Sequence, residues 1–138
     1  LNGVMSCLFE IPLAFKMRTW PVKQVLAIGY LLMGASFLIF LVSGSLTAFV
    51  TMMVIFTIGE MSAFSRQQAY SASLATEDMR GRYVAFLSFA WCAGNTASAA
   101  LGMPLYESHP ALLWSINAAL GLIAAILILS SRSGRSAA

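Results

Sequence analysis

Long apolar runs, broken by short polar gaps, set the pattern of this chain. The runs cover residues 1–15, 25–42, 46–68, 83–103 and 111–129. The third run anchors the rest. From Leu46 to Leu74 it contains no proline and one glycine, Gly59, so the pattern predicts one uninterrupted helix. A helix of that length measures ~44 Å at ~1.5 Å per residue. It would therefore cross a hydrocarbon core of ~30 Å with its polar end, Ser65 to Gln68, emerging beyond it.

The gaps are of two kinds. Lys16, Arg18, Pro21 and Lys23 form a basic gap with Trp20 at interface depth, and Thr76 to Tyr83 form a charged hinge. In the hinge Thr76 is a predicted N-cap, with Glu77 and Asp78 in the first helical turn, where acids suit the positive end of the helix dipole. The other gaps, Ser43-Gly44-Ser45 and Leu105 to Pro110, carry no Lys or Arg. The second holds Tyr106, Glu107 and His109, and Tyr106 with Trp114 fits an aromatic belt at a membrane interface.

Composition fixes the fold class. The chain is 59% hydrophobic and 9% charged, whereas soluble domains run nearer ~25% charged. A soluble fold of 138 residues could not hide so much apolar surface. The expected architecture is an all-α integral membrane protein with five transmembrane helices. The net charge of +3 then reads as a topology signal, and nucleic acid is not an expected partner. Lys16, Arg18, Lys23, Arg66, Arg80, Arg82, Arg132 and Arg135 all fall on one side of the threading. The positive-inside bias places that side, with the C-terminus, in the cytoplasm. Cys7 and Cys92 both fall within spans, so no disulfide framework is implied. The chain begins at Leu1 inside an apolar run, without a basic leader, and is read as a piece whose upstream half lies outside it.

The spans differ in polarity. The second and fifth are almost purely apolar, while the first, third and fourth carry Asn2, Ser6 and Glu10; Thr47, Thr51, Thr57 and Glu60; Ser88, Asn95, Thr96 and Ser98. Polar groups cost free energy against lipid tails, so this reading puts the second and fifth spans at the periphery. Asn2, Ser6 and Glu10 recur every four residues and share one helical face, and Pro12 would loosen the end of that helix. Ala90, Gly94, Ser98 and Gly102 form a small-residue stripe of the kind that admits a second helix backbone.

A carboxylate within a span is a functional-site hypothesis by default. Glu60 fits two roles, carrying a proton or bonding a neighbour to gate the cytoplasmic side. Glu10, near Lys16, fits a cytoplasmic-side ion pair. Arg66 lies about 600° of helical rotation from Glu60 and so off its face. Its expected partners are Glu10, an acid in the absent half, or the interface itself by snorkelling. Phe56 and Thr57 on the third span, with Trp91 and Asn95 on the fourth, are candidates to line a cavity for an amphipathic molecule. The sequence has no metal-ligand cluster, phosphate loop or nucleophile–base set. Neither a cofactor nor an enzymatic activity is expected.

Three pieces of the chain, in order, resemble the C-terminal half of major facilitator superfamily transporters, particularly bacterial drug and metabolite exporters. Asn2-Gly3-Val4 with Leu8-Phe9-Glu10-Ile11-Pro12-Leu13 and the basic gap is similar to the eighth helix and its loop. Thr57-Ile58-Gly59-Glu60-Met61 is similar to the tenth, and Arg80-Gly81-Arg82-Tyr83 to the cytoplasmic entry of the eleventh. Phe64-Ser65-Arg66 departs from the family's common pattern, which has a proline below the acid. The resemblance covers the chain as helices eight to twelve of a six-helix bundle. It implies that nine and twelve are peripheral and that ten faces a central cavity flanked by eight and eleven. It also implies secondary active transport of a small molecule by alternating access against the N-terminal half, with proton-coupled efflux as one form. The alternative is a non-transporting membrane scaffold that packs through Gly94, Ser98 and Gly102.

Overall fold

The computed structural model describes residues 2–131. Six α-helices follow in order: α1 Asn2–Met17, α2 Val22–Ser36, α3 Ile39–Val42, α4 Leu46–Leu74, α5 Arg80–Ser108 and α6 Pro110–Ser130. A 3-10 turn, Glu77–Met79, precedes α5. Four helical segments are long and apolar enough to cross a membrane: Val22–Val42, Leu46–Phe64, Arg80–Ser108 and Pro110–Ser130. The first of the five expected spans, read as the lower part of a helix that begins upstream, corresponds to α1, whose 16 described residues cover about 24 Å at ~1.5 Å each.

Boundaries shift where side-chain reading misses backbone chemistry. Pro12 and Pro104 both lie inside helices, so α1 continues to Met17 and α5 runs on to Ser108 instead of stopping at the proline. Arg80, Gly81 and Arg82 form the exposed first turn of α5, not a loop. Thr76 caps the 3-10 turn without a side-chain hydrogen bond; its carbonyl accepts from the Met79 amide at 2.9 Å. Below Glu60, α4 passes through Phe64-Ser65-Arg66 without a break. Ser45 caps α4 by accepting from the Ala48 amide at 3.2 Å. Between α5 and α6 the only residue outside the helices is His109, extended before Pro110, which occupies the first turn of α6. Arg132 and Arg135 lie outside the described residues.

The centre of the bundle is α2, held between α4 and α6. This corrects the peripheral placement expected for the second span. Val25, Leu26, Ala27, Gly29, Gly34 and Ser36 are buried on it. The cause is close backbone approach at two glycine crossings. A methyl group on Gly29 would lie 2.8 Å from the Gly59 carbonyl oxygen, and one on Gly34 would lie 2.9 Å from the Gly121 Cα. Both separations exclude any side chain, so these glycines bring α2 against α4 and α6 at short range. On α5, by contrast, nothing lies within 4 Å of a methyl group placed on Gly94 or Gly102, and Ser98 is exposed. The small-residue stripe has no partner helix among the described residues.

Both ends of the bundle are tied. At one, Lys23 donates to the Ser131 carbonyl, Tyr70 and Ser131 share a hydroxyl hydrogen bond at 3.0 Å, and Arg66 donates to the Met17 carbonyl. At the other, Trp114 stacks on Phe37 (centroids 5.8 Å apart, planes 8° apart) and meets Phe40 at 4.8 Å and Tyr106 at 5.8 Å. These contacts put the basic gap, the foot of α4 and the end of α6 together, with the uncharged gaps at the opposite end.

Candidate functional site

Most polar side chains in the spans bond to their own helix. Thr57 donates to the Met53 carbonyl at 2.7 Å, Asn95 to the Trp91 carbonyl at 2.9 Å and Thr96 to the Cys92 carbonyl at 2.9 Å. Such back-bonds satisfy a hydroxyl or amide in an apolar medium without a partner helix. Glu60 differs. It has no donor on its own helix, and the Asn2 side-chain amide crosses from α1 to donate to Glu60 Oε2 at 2.6 Å.

The crossing at Gly59 explains why Glu60 points this way. Gly59 is pressed against α2, and the next residue lies about 100° further round the helix. Glu60 is thereby turned off the α2 interface toward α1, where it is half-buried. Its surroundings are the face of α1 that repeats every four residues. Asn2, Ser6, Glu10 and Glu60, with Met61 and Phe64, enclose a notch of about 190 Å³. Two carboxylates, an amide and a hydroxyl thus share one small space, with no Lys or Arg among its lining residues. Oxygen-rich surroundings of this kind suit a proton or a small cation.

Phe64, one turn below Glu60, also walls a second cavity of about 270 Å³ with Gln67, Leu87, Ser88, Trp91 and Cys92. Its ring meets Trp91 edge to face, centroids 6.0 Å apart. Glu60, Phe64 and Gln67 therefore form a continuous face of α4, with the polar face of α1 on one side and α5 on the other. Phe64 and Gln67 were not among the site candidates read from the sequence, although their spacing from Glu60 (i+4 and i+7) is the available signal.

The remaining candidates are distributed differently from the expectation. Phe56 and Thr57 do not join Trp91 and Asn95: Phe56 packs edge to face on Phe37 at 5.6 Å, and Thr57 is fully buried. Both belong to the half of α4 that faces α2. Trp91 lines the α4–α5 cavity, and Asn95 is exposed. Arg66 does not pair with Glu10. Its guanidinium caps the end of α1 at the Met17 carbonyl, one of the last carbonyls left without an intrahelical donor. Glu10 instead lies in the Glu60 notch. Cys7 and Cys92 are free and exposed.

No family model matches the chain, and no solved structure matches it. Over 94 residues, 68% of this chain, it is 32% identical to a Na(+), Li(+), K(+)/H(+) antiporter of Planococcus maritimus. The aligned part is 22% of the antiporter, so the chain spans about a fifth of the length of the curated relative it matches. With its apolar helices, this similarity settles the class. The chain is a multi-pass membrane protein. It is similar to a transporter over two thirds of its length.

Proposed function

We propose that the chain forms part of a secondary active transporter that exchanges protons for a small solute or monovalent cation, with Glu60 as the group that takes and releases the proton. The observation that carries this reading is the Asn2–Glu60 hydrogen bond of 2.6 Å inside a membrane-spanning helix. An acid held in a polar notch has a protonated and a deprotonated state with different bonding. In the deprotonated state it accepts from Asn2 and attracts a cation. In the protonated state its own hydrogen needs an acceptor, and Asn2 Oδ1, Ser6 and Glu10 are adjacent. Exchange follows when the two states favour different exposures of the notch.

The similarity to a cation/proton antiporter supports the coupling ion. The three motif resemblances support the finer reading, a major facilitator bundle whose two halves rock about a midplane site. The face Glu60–Phe64–Gln67, with Trp91 opposite, offers an aromatic wall beside an acid, which fits small amphipathic or cationic substrates. The scaffold alternative has the unpartnered Gly94/Ser98/Gly102 stripe in its favour but gives no role to the acid in the span.

The test is Glu60→Gln in the full-length transporter, assayed in everted vesicles carrying a pH-sensitive dye. Addition of Na(+) or K(+) to the unsubstituted protein is expected to collapse the proton gradient. The variant is expected to lose that response at equal membrane abundance. Undiminished cation-driven proton release by Glu60→Gln would overturn the assignment.

A further inference from the structure

The second span is not one helix. α2 ends at Ser36 and α3 begins at Ile39, although the span Val22–Val42 contains no proline. In an α-helix the Phe37 amide would donate to the Met33 carbonyl. Here the Ser36 hydroxyl takes that carbonyl at 2.7 Å, and the amides of Phe37 and Leu38 reach back only three residues, to the carbonyls of Gly34 and Ala35. The amides of Phe40 and Leu41 bond in the same way, to Phe37 and Leu38. The backbone is therefore tightened toward 3-10 bonding just above Gly34 and Ser36, a Gly/Ser pair of the kind at which helices bend. Side chains three apart eclipse in that geometry, which is why Phe37 and Phe40 both meet the ring of Trp114. Burial changes at the same place: Gly34 and Ser36 are buried, and no residue of α3 is. Beyond α3 the chain turns through Ser43-Gly44-Ser45, and nothing lies within 4 Å of a methyl group placed on Gly44. α3 is thus a short arm between two yielding joints.

We propose that α3 is a lid at the uncharged end of the bundle, pivoting at Phe37–Leu38 and latched by the ring of Phe40. The latch has two partners, Trp114 of α6 at 4.8 Å and Phe49 of α4 at 6.3 Å between centroids. With the latch made, α3 and its turn form one side of a cavity of about 770 Å³, through Phe40 and Gly44, and Phe49, Met52 and Trp114 stand across it. Swinging α3 about the pivot breaks the two ring contacts and moves that wall away, while the buried part of α2 below Ser36 stays in its glycine crossings. The pivot is a pattern of backbone bonds and the latch a set of rings on α3, α4 and α6, so neither depends on what covers the faces of α1 and α5. As a gate the lid rests on the transporter reading. As a movement it does not, and it uses no part of the Glu60 notch.

The experiment measures distances between spin-label pairs in the full-length transporter in nanodiscs, on a background without other cysteines. One pair, at Val42 and Leu127, joins the tip of the lid to α6; the other, at Ile28 and Leu112, joins α2 below the pivot to α6. All four side chains are exposed. The Val42–Leu127 pair is expected to show two distances and the Ile28–Leu112 pair one. Phe40→Ala should raise the released population about twofold to tenfold, the worth of a ring pair, and leave the Ile28–Leu112 distance unchanged. In a second arm, Phe40→Cys and Trp114→Cys are joined by a short, membrane-permeant, reducible cross-linker in everted vesicles. Cation-driven collapse of the proton gradient should stop on cross-linking and return with dithiothreitol. Phe40→Cys with Phe49→Cys supplies the same arm if the first pair abolishes exchange before cross-linking. A single Val42–Leu127 distance that Phe40→Ala does not change, or equal broadening of both pairs, would overturn the lid. Undiminished exchange in the cross-linked protein would overturn its role as a gate. Failure of the proton-exchange reading would leave the spin-label result standing, so the two are told apart.

Discussion

Gly29 and Gly59 cross so closely that a methyl group on Gly59 would lie 2.7 Å from the Gly29 carbonyl oxygen, and a methyl on Gly29 2.8 Å from that of Gly59. This contact does two things at once. It fastens α4 to α2, and it fixes the rotation of α4 so that the next residue, Glu60, meets α1. Packing and candidate chemistry thus share a single backbone crossing.

Enlarging that crossing should damage both. Gly59→Leu is expected to force α2 and α4 apart at about 1–3 kcal/mol, the usual range for overpacking. It should lower the thermal midpoint in detergent by several degrees, and Gly59→Ala should do so less. Gly94→Ala is the matched control, because the space beside Gly94 is open; its effect should stay within about 0.5 kcal/mol. Equal losses at the two positions would show that the crossing is not a special contact.

The Asn2–Glu60 bond predicts non-additivity. A hydrogen bond contributes about 0.5–1.5 kcal/mol, so Asn2→Ala and Glu60→Leu should each destabilise the bundle. Combined, they should cost less than the sum by at least about 0.5 kcal/mol, the range for residues in contact. Thermal melts of the four proteins in one detergent measure the difference. Strict additivity would mean that the two side chains do not bond.

Arg66 should be sensitive where Glu10 is not. Removing the guanidinium leaves the end of α1 without its donor, so Arg66→Gln should destabilise by about 1–2 kcal/mol. Glu10→Gln, at an exposed side chain, should stay within about 0.5 kcal/mol. A charge swap at the two positions should not rescue the Arg66 loss. Rescue would restore the direct ion pair that the structure replaces with the Met17 carbonyl.

Threading can be read by accessibility. Arg80 and His109 bracket α5, a helix of 29 residues, about 43 Å at ~1.5 Å each. With Cys7 and Cys92 replaced by Ser, single cysteines at positions 80 and 109 should react with a membrane-impermeant maleimide from opposite sides. Labelling from one side would remove α5 as a span.

The lengths of the apolar runs made the spanning helices legible, because an apolar stretch of membrane length has few other uses. The four-residue spacing of Asn2, Ser6 and Glu10 revealed a polar face as well. What that face meets was not legible, because apposition of α1 and α4 is set by the Gly29–Gly59 crossing. The central place of α2 was hidden for the same reason. A polarity census counts the side chains that dislike lipid and overlooks the glycines that let backbones touch, although Gly59 and Ala63, spaced by four, carried the small-residue signal. Arg66 could not be matched to its partner by residue type, since every residue has a carbonyl. The aromatic cluster was half visible: Tyr106 and Trp114 were expected at the interface, but the stack with Phe37 depends on how α2 meets α6.

His109 is the lone link between α5 and α6, and no residue of α5 is buried. By contrast α2, α4 and α6 are tied at both ends, by Lys23 and Tyr70 on Ser131 and by the ring contacts of Phe37 and Phe40 with Phe49, Phe56 and Trp114. Tilting α5 would therefore disturb little beyond Phe64–Trp91 and Tyr106–Trp114. Among the described residues α2, α4 and α6 thus form a keel, and α5 leans on it through those two ring pairs, beside the face that carries the acid.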